Sequence, residues 1–260
     1  MTKLVVSDLD GTLLDDNSHL PQEIHSIINS LLLSGIYFTV ASGRQINNLK
    51  RLFNNRTDIF YIAQNGSYIE YANNTLYTAF FAKDILTTII DKAYSLGLFP
   101  MLYSNDTVFI RNKESEYRKM LDSYNVDYEE VDEFDLSENI GKISLMSTRD
   151  DISKYKREFM SLNGVSTYLS HKHLLDLTIS DISKGTALSF IQKLLNINNE
   201  STMTFGDSEN DISMFKISYY SFAMQNSSEE IKKYAKYVAP SNNDNGVIQV
   251  LLKMNQCINK

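Results

Sequence analysis

The sequence predicts an α/β protein with a Rossmann-like, doubly wound parallel sheet core and an inserted α+β domain. Strand-like and helix-like segments alternate in residues 1–82 and again in 181–260, and this alternation is typical of a parallel sheet. Residues 83–180 break the alternation with helices that are followed by pairs of strands. Acidic and hydroxyl residues follow several predicted strands, where the ligand sites of such sheets lie. We therefore expect a core of 1–82 and 181–260 with a second domain at 83–180.

The first part of the core begins with a short buried strand, Leu4–Val6. A continuous apolar run with β-branched residues suits a sheet that is covered on both faces. Residues 21–34 carry apolar side chains at helical spacing, with Pro21 at the start and Gly35 at the end, as expected of a helix. The elements predicted next are a strand at 36–44, a helix near 45–53, a strand near 60–66 and a hairpin at 68–80 that turns at Asn73 and Asn74.

The inserted segment has a different order of elements. Its predicted elements are a helix at 84–96, two strands around 104–106, a helix at 115–124, a strand at 142–147, a helix at 151–162, and two strands at 165–169 and 174–179. Because helices and strands do not alternate singly here, we expect an α+β domain with an open antiparallel sheet.

The alternating pattern returns in the last part of the chain. The predicted elements are a helix at 183–195, a strand at 202–207, a helix at 209–215, a strand at 219–224, a helix at 227–237, a short strand at 237–239 and a helix after Asp244. This segment is therefore expected to complete the core sheet.

Composition excludes several classes of function. The formal net charge is −7 and no Lys/Arg run occurs, which argues against a nucleic-acid or anionic-membrane surface. The single cysteine, Cys257, rules out a disulfide framework. No stretch reaches the roughly 18 apolar residues of a membrane span. We expect a cytoplasmic protein with no nucleic-acid, membrane or obligate protein partner.

Polar groups follow consecutive strands of the predicted core: Asp8, Asp10, Ser42, Lys184, Asp207 and Asp211. Two carboxylates beside an apolar strand need a cation, donors or a raised pKa, although Asp8–Gly11 by itself also fits an ordinary Asx turn. The carboxyl ends of parallel strands meet at one edge of a sheet. Four carboxylates, a lysine and a hydroxyl at such an edge suit a magnesium-assisted phosphoryl transfer.

Four short motifs carry a family resemblance. DLDGT at 8–12, ASGR at 41–44, SKG at 183–185 and GDSEND at 206–211 resemble, in this order, the four motifs of the haloacid dehalogenase-like (HAD-like) phosphatases. Three further stretches resemble the Cof-type sugar-phosphatase branch: QNG at 64–66, 223–239 and NNDNGV at 242–247. In that branch a C2-type cap domain lies between the second and third motifs. The resemblance implies that 83–180 is such a cap.

The resemblance also implies a chemistry for the acidic residues. Asp8 would be the nucleophile that forms an aspartyl-phosphate, and Asp10 would be the general acid and base. A Mg²⁺ cofactor would be bound by Asp8, by the backbone carbonyl of Asp10 and by Asp207. Asp211 would contact the metal directly or through water, although an acid at a helix start can simply be stabilised by the helix dipole.

The remaining motif residues would bind the phosphoryl group. The resemblance assigns this role to the Leu9 and Gly43 amides and to the Ser42 and Asn210 side chains, with Lys184 offsetting the charge that Asp8 and the phosphate share. For Ser42 an ordinary turn hydroxyl is a competing interpretation.

Two positions depart from the family pattern and one nearby cation has two interpretations. Ser208 stands where glycine is frequent, and Gln64 stands where an acid is common. Neither departure removes a catalytic group. Arg44 either points at the phosphate or pairs with a surface acid.

The cap is expected to select the substrate, because a lid over the sheet edge excludes water and contacts the leaving group. Candidate contacts are Tyr103, Asn105, Arg111, His171 and His173, the two histidines fitting solvated turn residues better than a metal site. The implied function is a Mg²⁺-dependent phosphatase of small phosphorylated metabolites. A phosphomutase of the same fold and a phospho-aspartate signalling module are alternatives.

Overall fold

A computed structural model of the chain describes residues 2–105, 107–111, 118–123, 127–147 and 151–258. Their strands are β1 (Leu4–Ser7), β2 (Tyr37–Ala41), β3 (Phe60–Ala63), β4 (Tyr68–Tyr71), β5 (Asn74–Thr78), β6 (Phe99–Tyr103), β7 (Val108–Arg111), β8 (Tyr128–Val131), β9 (Lys142–Met146), β10 (Val165–His171), β11 (Leu174–Ile179), β12 (Thr202–Gly206), β13 (Tyr220–Met224) and β14 (Tyr237–Ala239). Their helices are α1 (Ile24–Leu33), α2 (Ile46–Leu52), α3 (Lys83–Ser95), α4 (Arg118–Ser123), α5 (Lys156–Met160), α6 (Lys184–Leu195), α7 (Ile212–Phe215), α8 (Glu229–Lys232) and α9 (Gly246–Ile258). Over these residues, no helix combines the length and the apolar character that crossing a membrane requires.

The larger sheet has the strand order β14-β13-β12-β1-β2-β3-β4-β5. The strands from β14 to β3 are parallel, and the β4–β5 hairpin adds an antiparallel edge. Consecutive residues of β1 face opposite sides of the sheet: Val5 packs in a cluster with α1 and α9, whereas Leu4 and Val6 pack with α6. Helices therefore cover both faces, and the central position of β1 places its carboxyl end in the middle of the sheet edge.

The second sheet has the order β10-β11-β9-β6-β7-β8 and is formed by strands between Phe99 and Ile179. Its neighbours are antiparallel except for β7 and β8, which are parallel. We call this sheet with α3, α4 and α5 the cap. The predicted α+β insertion is correct in class, and the strands of the cap sheet lie inside the proposed limits of 83 and 180.

Two predicted elements differ from the structure, and one strand of the structure has no predicted counterpart. Strand β8 was not predicted, because its sequence YEEV has two central acids and lacks the apolar alternation that marks a half-buried strand. The hairpin turns at Ala72 and Asn73, which have positive φ, one residue earlier than predicted. Helix α8 covers only Glu229–Lys232 of the predicted 227–237. The first residues and the last residue of the helix predicted at 115–124 lie outside the described ranges. The α/β fold class is confirmed.

Candidate functional site

The predicted polar residues meet at the carboxyl edge of the large sheet. Asp8 follows β1, Ser42 follows β2, Asp207 follows β12 and Lys184 begins α6. Strands β12, β1 and β2 are adjacent and parallel, so the residues that follow them are neighbours in space. The capping box of α6, formed by Ser183 and Thr186, holds the first turn of that helix at the same edge.

Lys184 lies between two of the predicted acids, Asp8 and Asp211. Its Nζ donates to Asp8 Oδ1 at 2.6 Å and to Asp211 Oδ1 at 2.7 Å, and the lysine is 1% exposed. Burial opposes a charged amine, but the adjacent Asp211 and Asp8 carboxylates raise the pKa of Lys184 overall. Lys184 is therefore a permanent buried cation between two acids.

Asp211 orders the loop that follows β12. Its Oδ2 accepts hydrogen bonds from the backbone N–H groups of Asp207 at 2.9 Å and Ser208 at 3.0 Å. A Cβ at Gly206 would lie 2.4 Å from the Asp211 Cβ, so this close approach requires glycine. Both Asp211 oxygens are thus engaged, one by Lys184 and one by the loop.

Asp207 lies against the turn that follows β1. Thr12 Oγ1 donates to its Oδ1 at 3.1 Å, and Ser208 Oγ donates to its Oδ2 at 3.0 Å. A Cβ at Gly11, whose φ is +76°, would lie 2.6 Å from Asp207 Oδ2. Ser208, which departs from the family pattern, therefore supplies an extra donor that orients the Asp207 carboxylate.

Three of the predicted acids form a potential metal site. Asp8, Asp207 and Asp211 offer carboxylate oxygens within 4.8 Å of one another. Burial, with the Asp211 and Asp207 charges, raises the pKa of Asp8 well above its ordinary value, and burial raises the pKa of Asp207 to about 6. Three carboxylates surround one ammonium group here. The remaining negative charge and oxygen ligands suit a hard divalent cation.

Asp10 is paired with Arg44. The Asp10 side chain is 47% exposed and its two oxygens accept from Arg44 Nε, at 2.8 Å, and Arg44 Nη2. Arg44 Nη1 also donates to Asn48 Oδ1 at 2.9 Å. Of the two interpretations of Arg44, contact with the phosphate or pairing with a surface acid, the structure shows pairing with an acid. That acid is Asp10, the predicted general acid and base.

Three of the predicted phosphoryl-binding residues, Ser42, Gly43 and Asn210, line a cavity between core and cap, as do the acids Asp8 and Asp10. Lys184 contacts Asp8 behind this lining and does not line the cavity itself. Ser42 Oγ accepts from the Arg44 backbone N–H at 3.2 Å, which is also the contact of a turn hydroxyl. Leu9 is fully buried in the apolar core, so only its backbone is available to a ligand.

The cavity has a volume of about 190 Å³ and is lined on its other side by the cap. The cap residues that line it are Tyr103, Leu121, Lys142, Ser144, Ser170, Leu174 and Asp176. Among the candidate cap contacts whose side chains are described, Tyr103 lines this cavity. Arg111 instead stacks on Tyr94 at 5.3 Å and donates to the Asp132 carbonyl.

Two other candidates, Asn105 and His173, lie outside the lining, and the side chain of His171 lies outside the described part of the chain. Lys142 and Asp176 were missed by the sequence analysis. A charge inside each of the apolar strand patterns KISLM and LLDLTI was the signal that could have found them.

Core and cap are joined beside the site by the QNG turn and by the loop after β12. Gln64 Nε2 donates to the Ser104 carbonyl at 2.6 Å, a contact that the acid common at this position could make only when protonated. Glu209, between the acids of the loop, accepts from Lys156 Nζ and from the Leu169 N–H. The cap is therefore held over the cavity by residues adjacent to the metal-site acids.

Known proteins resemble this chain over nearly its whole length. A profile of haloacid dehalogenase-like hydrolases matches residues 5–251. The 5-amino-6-(5-phospho-D-ribitylamino)uracil phosphatase YbjI of Escherichia coli is 28% identical over 97% of this chain and 96% of its own length. The Bacillus subtilis phosphatase YwtE, which carries the same substrate name, is 27% identical over 94% of this chain and 95% of its own.

A solved structure from Streptococcus mutans superimposes with a TM-score of 0.92 and 25% identity, covering 98% of this chain and 99% of that one. Residues 5–251, which the family profile matches, span all four motifs, so the resemblance inferred from the motifs is confirmed. The chain belongs to the haloacid dehalogenase-like hydrolase family.

Proposed function

We propose that the protein is a Mg²⁺-dependent phosphatase that hydrolyses small phosphomonoesters through an aspartyl-phosphate. The observation that carries this proposal is the buried Lys184, bonded at 2.7 Å to Asp211 and at 2.6 Å to Asp8, which lines the cavity between core and cap. A lysine held this way neutralises part of the charge that a carboxylate nucleophile and a phosphate bring together.

Asp8 is proposed to act as the nucleophile. Its Oδ1 accepts from Lys184, which leaves Oδ2 for attack on phosphorus. The new O–P bond forms as the P–O bond to the alcohol breaks, and the departing oxygen takes a proton from Asp10. In the second step Asp10 accepts a proton from water as that water attacks phosphorus, and the Asp8 carboxylate is restored with release of inorganic phosphate.

Asp10 is suited to this dual role by its position. Its carboxylate lies at the cavity wall and is oriented by two donors of Arg44. Unlike Asp8, which is 5% exposed, Asp10 faces solvent as well as the cavity, so both the departing alcohol and the attacking water can reach its carboxylate.

The acidic cluster fits the cofactor that the mechanism requires. The carboxylates of Asp8 and Asp207 would hold Mg²⁺, with the backbone carbonyl of Asp10 and, directly or through water, Asp211. The bound ion would supply positive charge to the transferring phosphoryl group. The raised pKa of Asp8 and of Asp207 reflects crowded, desolvated carboxylates, which is the situation that a cation relieves.

The size of the cavity suits an ester whose phosphate end is carried by a slender group. Its volume of about 190 Å³ is below the roughly 300–1,000 Å³ of ordinary ligand pockets. Two relatives that are 28% and 27% identical are named as phosphatases of a phosphoribitylamino-uracil. We propose esters of this type, in which the phosphate is carried by a small polyol chain, as the first candidates.

The test is phosphate release from a panel of polyol, sugar and aryl phosphates, with Mg²⁺ or with excess chelator. We expect metal-dependent release that Asp8→Asn abolishes. The control is Asp58→Asn, which removes an exposed carboxylate that pairs with Arg56 and is expected to leave the rate unchanged. Release that survives chelation, or that Asp8→Asn leaves intact, would contradict the proposal. A stable phosphoprotein without release would point to the mutase or signalling alternative.

A further inference from the structure

A buried ion pair in the cap faces the proposed phosphate site. Lys142 begins β9 and Asp176 lies in the middle of β11, and these strands are antiparallel neighbours. Each residue is only 4% exposed, and both line the cavity. Burying two charges costs free energy unless their hydrogen bonds are made. The pair is therefore unlike the exposed ion pairs of the cap, such as Lys92 with Glu158.

Asp176 is saturated by donors. Ser144 Oγ donates to its Oδ1 at 2.5 Å, and Oδ2 accepts from Ser170 Oγ at 2.7 Å and from Asn65 Nδ2 at 3.1 Å. Lys142 Nζ adds a fourth contact at 3.4 Å. Because its lone pairs are engaged by protein groups, Asp176 acts on a ligand through the residues that it holds.

Lys142 is not saturated in this way. Its contact with Asp176 is long, and its Nζ lies 3.9 Å from the centre of the Tyr103 ring. An ammonium group has three donors, and a cation this buried is costly when its donors lack acceptors. Since Lys142 lines the cavity, an oxygen atom of an ester bound there would be a suitable acceptor for its remaining N–H groups.

The charge balance of the cavity indicates which kind of ligand oxygen Lys142 would bind. The cations among the lining residues are Arg44 and Lys142, and each has an acid partner, Asp10 and Asp176 respectively. The described cap side therefore offers donors but no uncompensated positive charge. Such a surface favours hydroxyl or carbonyl oxygens over a second phosphate or a carboxylate, whose full charge would need a free cation.

The pair is also connected to the phosphoryl-binding residues. Asn210 Nδ2 donates to Asn65 Oδ1 at 2.9 Å, and Asn65 in turn donates to Asp176. A Cβ at Gly43 would lie 3.5 Å from Asp176 Oδ2. Asp176 thus lies against the predicted phosphate-binding turn, and the ion pair forms the cap wall that faces this turn across the cavity.

We propose that Lys142 is a specificity-determining residue that donates a hydrogen bond to a neutral oxygen of the leaving group, and that Asp176 is a positioning residue that sets its orientation and cancels its charge. This inference rests on the proposed phosphatase function. It assigns to one ion pair the preference for neutral polyol esters over esters that carry a second anion.

The experiment compares three probes: a pentitol phosphate, phosphoglycerate, which carries a carboxylate, and p-nitrophenyl phosphate, which lacks hydroxyl groups. Lys142→Met is expected to lower kcat/KM for the pentitol phosphate by about 10- to 100-fold, the effect of one hydrogen bond to a charged group. The loss for p-nitrophenyl phosphate should be much smaller, so that the ratio of the two kcat/KM values falls. Lys92→Met is the matched control, since it removes a cap lysine from an exposed ion pair outside the cavity.

The Asp176→Asn variant tests whether Asp176 positions Lys142 or only stabilises the fold. It keeps the shape and leaves Lys142 with an uncompensated charge, so the ratio of phosphoglycerate to pentitol phosphate turnover should rise. Lys142→Gln, which keeps donors without the charge, should recover part of the pentitol phosphate activity. A structural role alone would not reverse a preference between esters.

The outcomes distinguish this inference from the function on which it rests. Equal loss on all three probes in Lys142→Met and Lys142→Gln, or no loss, would overturn the role of Lys142 while Asp8-dependent hydrolysis stands. An unchanged ester ratio in Asp176→Asn would overturn the positioning role. If the native chain hydrolyses none of the probes, the proposed function fails and this inference fails with it.

Discussion

Replacing Lys184 by methionine is the most informative single perturbation of the site. Methionine has a similar length and is apolar, so the change removes the ammonium group with little change of volume. Asp8 and Asp211 each lose a short hydrogen bond, of 2.6 and 2.7 Å. Three crowded carboxylates then have no cation among them.

The expected loss of stability follows from these two contacts. A hydrogen bond to a charged group contributes about 1.5–3 kcal/mol, and removing one partner of a buried ion pair costs about 3–5 kcal/mol. We expect the free energy of unfolding to fall by about 3–5 kcal/mol at slightly alkaline pH. The loss should be smaller at acidic pH, because Asp8, whose pKa is already raised, can then take up a proton and become neutral.

Urea unfolding of the two metal-free chains, at acidic and at slightly alkaline pH, measures this difference. Mg²⁺ should reduce the alkaline deficit, since the ion replaces the missing positive charge. Lys92→Met is the control, because its partner Glu158 is 54% exposed and such pairs contribute about 0–1 kcal/mol. An alkaline loss for Lys184→Met no greater than that of the control, or a loss that does not depend on pH, would refute the reasoning.

Three further predictions concern the loops around the site. Gly11→Ala should weaken Mg²⁺ binding, since its Cβ would lie 2.6 Å from Asp207 Oδ2. Gly35→Ala is the control: Gly35 has a similar φ of +72° and no neighbour within 4 Å, so this change should cost only backbone strain of about 1–2 kcal/mol. Burial raises the pKa of Asp207 to about 6, so the metal-free fold binds protons that the unfolded chain releases and loses stability as the pH rises from about 4 to about 6. Stabilisation by Mg²⁺, measured as a rise in Tm, should accordingly be larger at about pH 8 than at about pH 5; equal shifts would contradict this. Glu209→Ala removes the acceptor of the Leu169 N–H, so hydrogen exchange of that amide should accelerate, and unchanged protection would show that the contact does not hold the cap.

The sequence predicts the core of the site well because its geometry follows from topology. Asp8, Ser42 and Asp207 directly follow parallel strands that are neighbours in the sheet, and parallel strands end on the same edge. Lys184 was placed by its motif at a helix start, and the helix begins at that residue. Local patterns and strand order are enough to bring these residues together.

The cap side could not be predicted in the same way. Its contacts depend on how two separately folded layers meet, and hydrophobic periodicity contains no information on that. The sequence-based candidates included polar residues at predicted turns, such as Asn105 and His173, whereas the cap residues that line the cavity include two charges within strands, Lys142 and Asp176. A charge within a buried strand was the stronger signal, because such a residue must have a partner. The missed strand β8 has the same origin, since an edge strand needs little apolar pattern.

The contacts between core and cap also link the position of the cap to the chemistry below it. Asn65 receives a hydrogen bond from Asn210 in the core and donates one to Asp176 in the cap. The contact with Asp176 is lost if the cap moves away, whereas the contact between Asn65 and Asn210 lies within the core. The position of the cap therefore orients the Asn65 amide, and through Asn65 it influences the Asn210 side chain beside the phosphoryl-binding region. An ester that cannot bind to Lys142 would lose turnover as well as affinity, because Asp176, the partner of Lys142, is also the acceptor that orients Asn65.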